Sequence, residues 1–304
     1  METGTNPQNQ NIELGKVSWL RDYRTALGQS KLIKKPVIFF FQEIPGCSTC
    51  VHFGRDVLSH PLMVEFIENE FIPLAIFNNI PGHDSEILAL YNELSWNNPV
   101  AHFVDDLGRD IIPKLANSYH PLSMYNKLIE VLNRLRKPIP KYAILLGHDL
   151  KMKYANLKTT IYGTPCFWSG ETSLALNPAV KYTEAGWVGN TEVVKAYFDD
   201  SQVSLEELNN FAIKEDFLPI DSHENYKIDK SPQYYLSKSS FCYLPLSKAQ
   251  RTQINVAITY KKQPTEYLSP KQVVMYQDIL EKIGNNDKNT TYKEDIENSW
   301  KWDV

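Results

Sequence analysis

The sequence predicts two domains, an α/β domain over residues 1–140 and an α+β domain over residues 141–304. At 304 residues the chain exceeds the usual size of one hydrophobic core. In its first part, apolar runs alternate with amphipathic helical segments, which is the order of a β-α-β unit. Pro138 and Pro140 interrupt the chain between the two parts. We place the domain boundary at these prolines, because neither residue continues a helix.

The first domain begins with a predicted helix over residues 16–30, where apolar positions recur at helical spacing. The apolar run 37–41 predicts a buried strand, and the turn after it leads into a helix that begins near Cys47. A second helix over 61–69 and a second strand over 71–77 follow. This order implies that the two strands pair in parallel.

The rest of the first domain returns to the same sheet. A helix is predicted over 85–94, and Asn98-Pro99 opens a strand that ends in an Asp-rich turn at 105–106. A further short strand is expected after that turn. A closing helix is predicted over 121–136.

The second domain shows the same pattern of a cysteine at a helix start. Residues 142–153 indicate only a connecting segment, and 157–162 predicts a short strand. Cys166 then begins a helix that runs to about residue 176, and 180–187 predicts the next strand.

Composition excludes several classes of function. The net charge is only −4 and the basic residues are spread along the chain, so we expect no nucleic-acid and no membrane partner. No stretch approaches the roughly 20 apolar residues of a membrane span, and we expect a cytoplasmic protein. Four cysteines are too few for a disulfide scaffold. With one CxxC motif and no HxxxH, no metal site and no cofactor are expected.

The CxxC motif at residues 47–50 is the clearest redox signal of the first domain. Partial positive charge at a helix N-terminus stabilises a thiolate, so Cys47 is a candidate nucleophile. Together with Asn98-Pro99 and the Asp-rich turn, the motif makes residues 15–136 resemble a thioredoxin-like domain. The resemblance implies that Cys47 attacks, that Cys50 resolves, and that Pro99 follows a cis peptide bond.

A second resemblance covers about residues 155–280. These residues are similar to peptide methionine sulfoxide reductase A, which implies an α+β sandwich and reduction of methionine-S-sulfoxide, free or peptide-bound. The motifs that carry the resemblance are Cys166-Phe167-Trp168, Glu171, the stretch 192–199, the stretch 203–208 and Gln233-Tyr234.

The resemblance also implies roles for individual residues. Cys166 attacks the sulfoxide sulfur, and Phe167 and Trp168 form an aromatic wall for the substrate methyl group. Glu192, if those rings desolvate it, has a raised pKa and donates a proton to the sulfoxide oxygen. The resemblance further implies that the Tyr234 hydroxyl donates to the substrate and that Asp229 binds the substrate amine. Trp187 stands where the family carries a second tyrosine on the sulfoxide oxygen.

The sequence names one candidate reductant inside the chain. No cysteine follows Cys242, and Cys242 itself lies in an apolar strand pattern that favours a small buried core residue. We therefore expect Cys47 to attack the sulfenic acid of Cys166 and Cys50 to resolve the mixed disulfide. Thioredoxin or another thiol reductant would then reduce the pair.

Two alternatives stay open at this stage. The chain could be a general thiol-disulfide oxidoreductase whose second domain binds substrates without catalysis. It could also be a non-catalytic binding protein, in which Phe167 and Trp168 are core aromatics beside a buried thiol.

Overall fold

The chain forms two units, residues 1–143 and 144–304, and the division falls inside a single helix, Lys141–Tyr154. The computed structural model describes residues 4–96, 98–221, 225–284, 296–300 and 302. Within these ranges, no helix has both the length and the apolar composition needed to cross a bilayer.

The first unit is built on a three-stranded sheet in the order β2-β1-β3. Strand β1 pairs with β2 in parallel, as the β-α-β order predicts, and with β3 in antiparallel orientation. All six residues of β1 are buried, because helices cover both faces of this central strand. The elements are α1 Tyr23–Ile33, β1 Val37–Gln42, α2 Ser48–Asp56, α3 Pro61–Glu70, β2 Ile72–Phe77, α4 His83–Leu90, β3 Val100–Val104 and α5 Pro121–Arg134.

Two expectations for the first unit are wrong. The first helix begins at Tyr23 rather than at residue 16, because the Asp22 carboxylate accepts the backbone N–H of Thr25 and caps the helix there. The short strand expected after the Asp-rich turn is not formed in the described residues. Asp110 and Leu115 meet β3 only as isolated bridges.

The second unit contains a five-stranded sheet in the order β7-β4-β6-β5-β8, and every pairing is antiparallel. Helix α7 packs on β5 and β6 and carries the second helix-start cysteine. The elements are α6 Lys141–Tyr154, β4 Lys158–Gly163, α7 Phe167–Leu174, β5 Val180–Val188, β6 Thr191–Phe198, α8 Leu205–Lys214, β7 Leu218–Ile220, β8 Tyr226–Ile228, α9 Tyr234–Ser237, α10 Lys248–Thr259, α11 Pro270–Gly284 and α12 Ile296–Ser299.

The structure differs from the expectations for the second unit at two places. Residues 142–153, interpreted only as a connection, lie in helix α6. Cys242 lies in a 3-10 helix, Ser240–Tyr243, and not in a strand, although it is buried as expected. The apolar alternation around Cys242 was misleading, because a short 3-10 helix can bury the same side chains.

Candidate functional site

The first candidate site is the cysteine pair at the start of α2. Cys47 is the N-cap residue, and its Sγ accepts the backbone N–H of Cys50 at 3.3 Å. Cys47 is half-buried, whereas Cys50 is fully buried. Burial raises the pKa of the Cys50 thiol strongly, and its hydrogen bond with Cys47 adds to that effect. Cys47 is therefore the thiol of this pair that an incoming group can reach.

Hydrogen bonds fix the turn that leads into this pair. The backbone N–H of Gly46 donates to the Glu13 carboxylate at 3.1 Å, and the N–H of Ile44 donates to Asn79 Oδ1 at 3.1 Å. The peptide bond before Pro99 is cis, as the resemblance implied. The position of the Cys47 turn is thus set by the buried side chain of Glu13 and the exposed side chain of Asn79, in addition to the turn residues themselves.

The second candidate site lies at the start of α7, where β4 ends. Cys166 is the N-cap residue and is half-buried, and its side chain makes no capping hydrogen bond. The Glu192 carboxylate takes that place instead, since its Oε2 accepts the backbone N–H of Phe167 at 2.9 Å. An acid from β6 therefore caps the first turn of the helix, and the thiol of the N-cap residue Cys166 does not.

Helix α7 can approach the sheet this closely because Gly170 carries no side chain. A Cβ at that position would meet Thr164 and Val194 at 3.0 Å. The backbone N–H of Thr164 also donates to the carbonyl of Glu192 at 3.1 Å, which ties the turn before Cys166 to β6. Close packing and this hydrogen bond together set the distance between the helix start and the acid.

Four aromatic rings pack in a continuous chain around the start of α7. The rings of Phe167 and Trp168 are 5.5 Å apart, and Phe167 meets Trp187 edge-on at 5.1 Å. Trp168 stacks on Tyr234 with centroids 3.9 Å apart. The four rings form one apolar cluster, and the phenol of Tyr234 lies at one end of it.

The indole of Trp187 is held by a hydrogen bond. Its Nε1 donates to Asp229 Oδ1 at 3.3 Å, and the other Asp229 oxygen accepts the backbone N–H of Ser231 at 2.8 Å. In the β5–β6 pairing, Trp187 lies directly opposite Glu192, so the indole and the acid belong to one cross-strand pair. Asp229, which the resemblance predicts to bind a substrate amine, thus holds the indole of Trp187 in place.

Sequence reasoning gave no role to Glu171, which belongs to the same site. Its side chain is fully buried, and its carboxylate accepts the backbone N–H groups of Ala185 at 2.9 Å and Gln233 at 2.8 Å. Burial raises the pKa of Glu171 to about 8, while these hydrogen bonds act in the opposite direction. A signal was present: Glu171 shares helical spacing with the apolar positions Phe167 and Leu174, so an acid faces the core.

Gln233 completes this arrangement. It adopts the left-handed region with φ of 57°, and its Nε2 donates to the Thr183 carbonyl at 2.5 Å. The family resemblance included Gln233 in a motif but implied no role for it, because its role depends on a loop conformation that brings it to Glu171.

The structure therefore brings seven of the nine candidate residues together in the second unit. They are Cys166, Phe167, Trp168, Trp187, Glu192, Asp229 and Tyr234. Cys47 and Cys50 form the separate site of the first unit. Among the residues described, no three His, Cys, Asp or Glu side chains gather in a group that could hold a metal ion.

Comparison with known proteins concerns the first unit. Residues 18–105 match the family model described as thioredoxin-like, so the first unit carries a thioredoxin-like domain. A solved structure described as "DsbH Oxidoreductase" is similar at 20% identity, over 41% of this chain and 91% of that chain, with a TM-score of 0.34. No curated protein matches the chain.

Proposed function

We propose that the second unit reduces methionine-S-sulfoxide, free or in peptides, with Cys166 as the nucleophile. The observation that carries the proposal is the contact between Glu192 and the first turn of α7. Through this contact Glu192 meets the backbone of the residue that follows Cys166, a half-buried thiol at a helix start. The aromatic chain includes Phe167, the sequence neighbour of Cys166, and Trp187, the cross-strand partner of Glu192, and it supports the proposal as an apolar wall. A sulfoxide needs these three elements, because it carries an apolar methyl group, an electrophilic sulfur and a basic oxygen.

The proposed reaction proceeds in two stages. The Cys166 thiolate attacks the sulfoxide sulfur while Glu192 and the Tyr234 hydroxyl stabilise the oxygen and Glu192 supplies a proton. The protonated oxygen then passes as a hydroxyl group to the Cys166 sulfur. The sulfur–oxygen bond of the substrate and the sulfur–sulfur bond formed by the attack both break, so that methionine leaves with its sulfur lone pair restored and Cys166 becomes a sulfenic acid. The substrate is thereby reduced and the thiol oxidised by two electrons.

The thioredoxin-like domain is the proposed source of the reducing electrons. The Cys47 thiolate attacks the sulfenic sulfur of Cys166 and releases water, which leaves a mixed disulfide. Cys50 then attacks Cys47, so that Cys166 returns to the thiolate and a Cys47–Cys50 disulfide remains. A thiol partner such as thioredoxin reduces that disulfide. This proposal treats residues 141–304 as one catalytic domain and residues 1–140 as its reductant.

The test is stereospecific reduction of methionine sulfoxide by the wild-type chain and by three single variants, C166S, C47S and C242A. With dithiothreitol as reductant, we expect reduction of the S epimer only, lost in C166S and retained in C47S and C242A. With a thioredoxin system as reductant, C47S should also lose multiple turnover. Full activity of C166S on the S epimer would reject the proposal.

A second candidate function is general disulfide reduction by the first unit. The accessible Cys47 beside the buried Cys50 favours it, because this asymmetry suits attack by one thiol and resolution by the other. Disulfide reduction that is lost in C47S and unchanged in C166S, together with no sulfoxide reduction by any variant, would favour this function over the first.

A further inference from the structure

Glu171 joins the three segments of the second unit that carry the aromatic chain. The residue itself lies on α7, three positions after Trp168. Its carboxylate accepts the N–H of Ala185 on β5, two positions before Trp187. It also accepts the N–H of Gln233, which directly precedes Tyr234. One buried carboxylate therefore holds the backbone next to three of the four rings.

The loop before Tyr234 depends on this carboxylate. Gln233 is almost fully buried and has left-handed backbone dihedrals, which an L-residue with a long side chain adopts only when its surroundings impose them. Both oxygens of Glu171 lie within 3.2 Å of the Gln233 nitrogen, and the Gln233 side chain donates to Thr183 on β5. These contacts set where α9 begins, and Tyr234 is its first residue.

We propose that Glu171 is a positioning residue, whose carboxylate holds the phenol of Tyr234 against Trp168 so that the Tyr234 hydroxyl faces the sulfoxide oxygen. This inference rests on the proposed function for its catalytic part. Its structural part, the stacking of Tyr234 on Trp168 through Glu171, can be measured without any substrate.

Glu171→Gln is the sharpest variant because it keeps the volume of the side chain. Both oxygens of the Glu171 carboxyl group can accept a hydrogen bond, whereas the amide of glutamine has one acceptor oxygen and turns its NH₂ group toward one of the two backbone donors. Glu184→Gln is the matched control. Glu184 lies next to Ala185 on the same strand, and its carboxylate accepts the hydroxyl groups of Tyr226 at 2.8 Å and of Tyr182 at 3.4 Å.

The kinetic test is a double-mutant cycle with Tyr234→Phe, measured as kcat/KM on methionine-S-sulfoxide. We expect Glu171→Gln to lower kcat/KM about 10-fold in the wild-type background and less than about twofold in the Y234F background, because a residue that acts through Tyr234 has nothing further to lose. Glu184→Gln should change kcat/KM less than about twofold in both. The kcat/KM of Glu171→Asp, which keeps the carboxyl group on a shorter side chain, should fall between those of wild type and Glu171→Gln. This variant serves if the glutamine variant does not fold.

The structural test is a crystal structure of the same Glu171 variant, in which we expect Tyr234 to leave its stacked position on Trp168. Equal losses of kcat/KM in both backgrounds, or a Tyr234 ring that stays stacked, would overturn the inference. A wild-type chain without sulfoxide reduction would reject the proposed function instead, and the position of Tyr234 in the variant would then decide the structural part alone.

Discussion

The two helix-start thiols occupy the same position in their helices but differ in what caps the helix. In α2 the thiol itself does so, because Cys47 Sγ accepts the N–H of Cys50. In α7 the thiol of Cys166 makes no such bond, and the carboxylate of Glu192 accepts the first N–H instead. The partner therefore distinguishes the two sites: a second thiol in one, an acid in the other.

This difference separates two kinds of redox chemistry. A thiol beside a thiol can form and exchange a disulfide, which needs no proton donor from the protein. A thiol beside a carboxyl group can attack a centre whose leaving oxygen must be protonated. Under the proposed function, the thioredoxin-like domain would perform the first chemistry and Cys166 the second.

The largest expected effect comes from removing the acid that only the second site has. Glu192→Gln keeps an oxygen that can accept the Phe167 N–H but cannot supply a proton. We expect it to lower kcat/KM for methionine-S-sulfoxide by about 10²- to 10⁴-fold, the usual contribution of a general acid. Disulfide reduction through Cys47 should stay unchanged.

The exposed Glu206 on α8 offers a matched control, because Glu206→Gln makes the same chemical change away from the site. Sulfoxide reduction by Glu192→Gln within about threefold of wild type would remove the distinction between the two thiol sites and leave Glu192 as a helix cap only.

The second prediction concerns the buried acid of the second site. The pKa of Glu171 is about 8 in the folded chain and 4.5 in its unperturbed state. A group whose pKa rises on folding contributes stability below the unfolded value and loses it as the pH climbs through the folded value. The unfolding free energy of the second unit should therefore fall between about pH 4.5 and 8, by at most about 1.4 kcal/mol per pH unit from this residue.

Urea unfolding of wild type and Glu171→Gln across this range measures the effect. Asp149 also has a pKa raised by burial, to about 7, so the informative quantity is the difference between the two proteins. That difference should change steadily up to about pH 8 and level off above it. Parallel stability curves would show that Glu171 does not titrate in this window.

The sequence predicted the positions of both thiols because helix starts are local features. A buried strand followed by a turn and a cysteine needs no tertiary information, and Cys47 and Cys166 both lie at the N-caps expected for them. The residues that the second site gathers around Cys166 were named from a family resemblance, since their positions in the sequence span more than 60 residues.

What the sequence could not predict depends on contacts between distant segments. The Trp187 indole donates a hydrogen bond to Asp229, which lies 42 positions later in the sequence. The backbone N–H of Gln233 donates one to Glu171, which lies 62 positions earlier. Periodicity reports which side of an element is buried, but not which backbone group a buried acid meets. Helix α6 was missed for a local reason, because Pro140 precedes it where a Ser, Thr, Asp or Asn would mark the start of a helix.

A third prediction sharpens the comparison through accessibility. Each unit contains one half-buried thiol and one buried thiol. Cys47 and Cys166 are half-buried, whereas burial raises the pKa of Cys50 and of Cys242. The thiolate is the reactive form, so iodoacetamide at pH 7 should alkylate Cys47 and Cys166 at least about 10-fold faster than Cys50 and Cys242. Peptide mass spectrometry of the reduced protein gives all four rates in one experiment. Equal rates for Cys47 and Cys50, or for Cys166 and Cys242, would contradict the assignment of Cys47 and Cys166 as the nucleophiles.

The smallest effect should come from Asp229, and it decides between two roles for that residue. Asp229→Ala removes the acceptor of the Trp187 indole N–H, a bond worth about 1 kcal/mol, so we expect KM for the sulfoxide to rise about fivefold with kcat nearly constant. Trp187→Phe removes the same bond from the other side and keeps an aromatic ring. If Asp229 acts only by holding the indole, the two variants should behave alike on free and peptide-bound substrate. A larger loss in Asp229→Ala, confined to substrates with a free amine, would show that the carboxylate binds that amine directly, because Trp187→Phe leaves the charge in place.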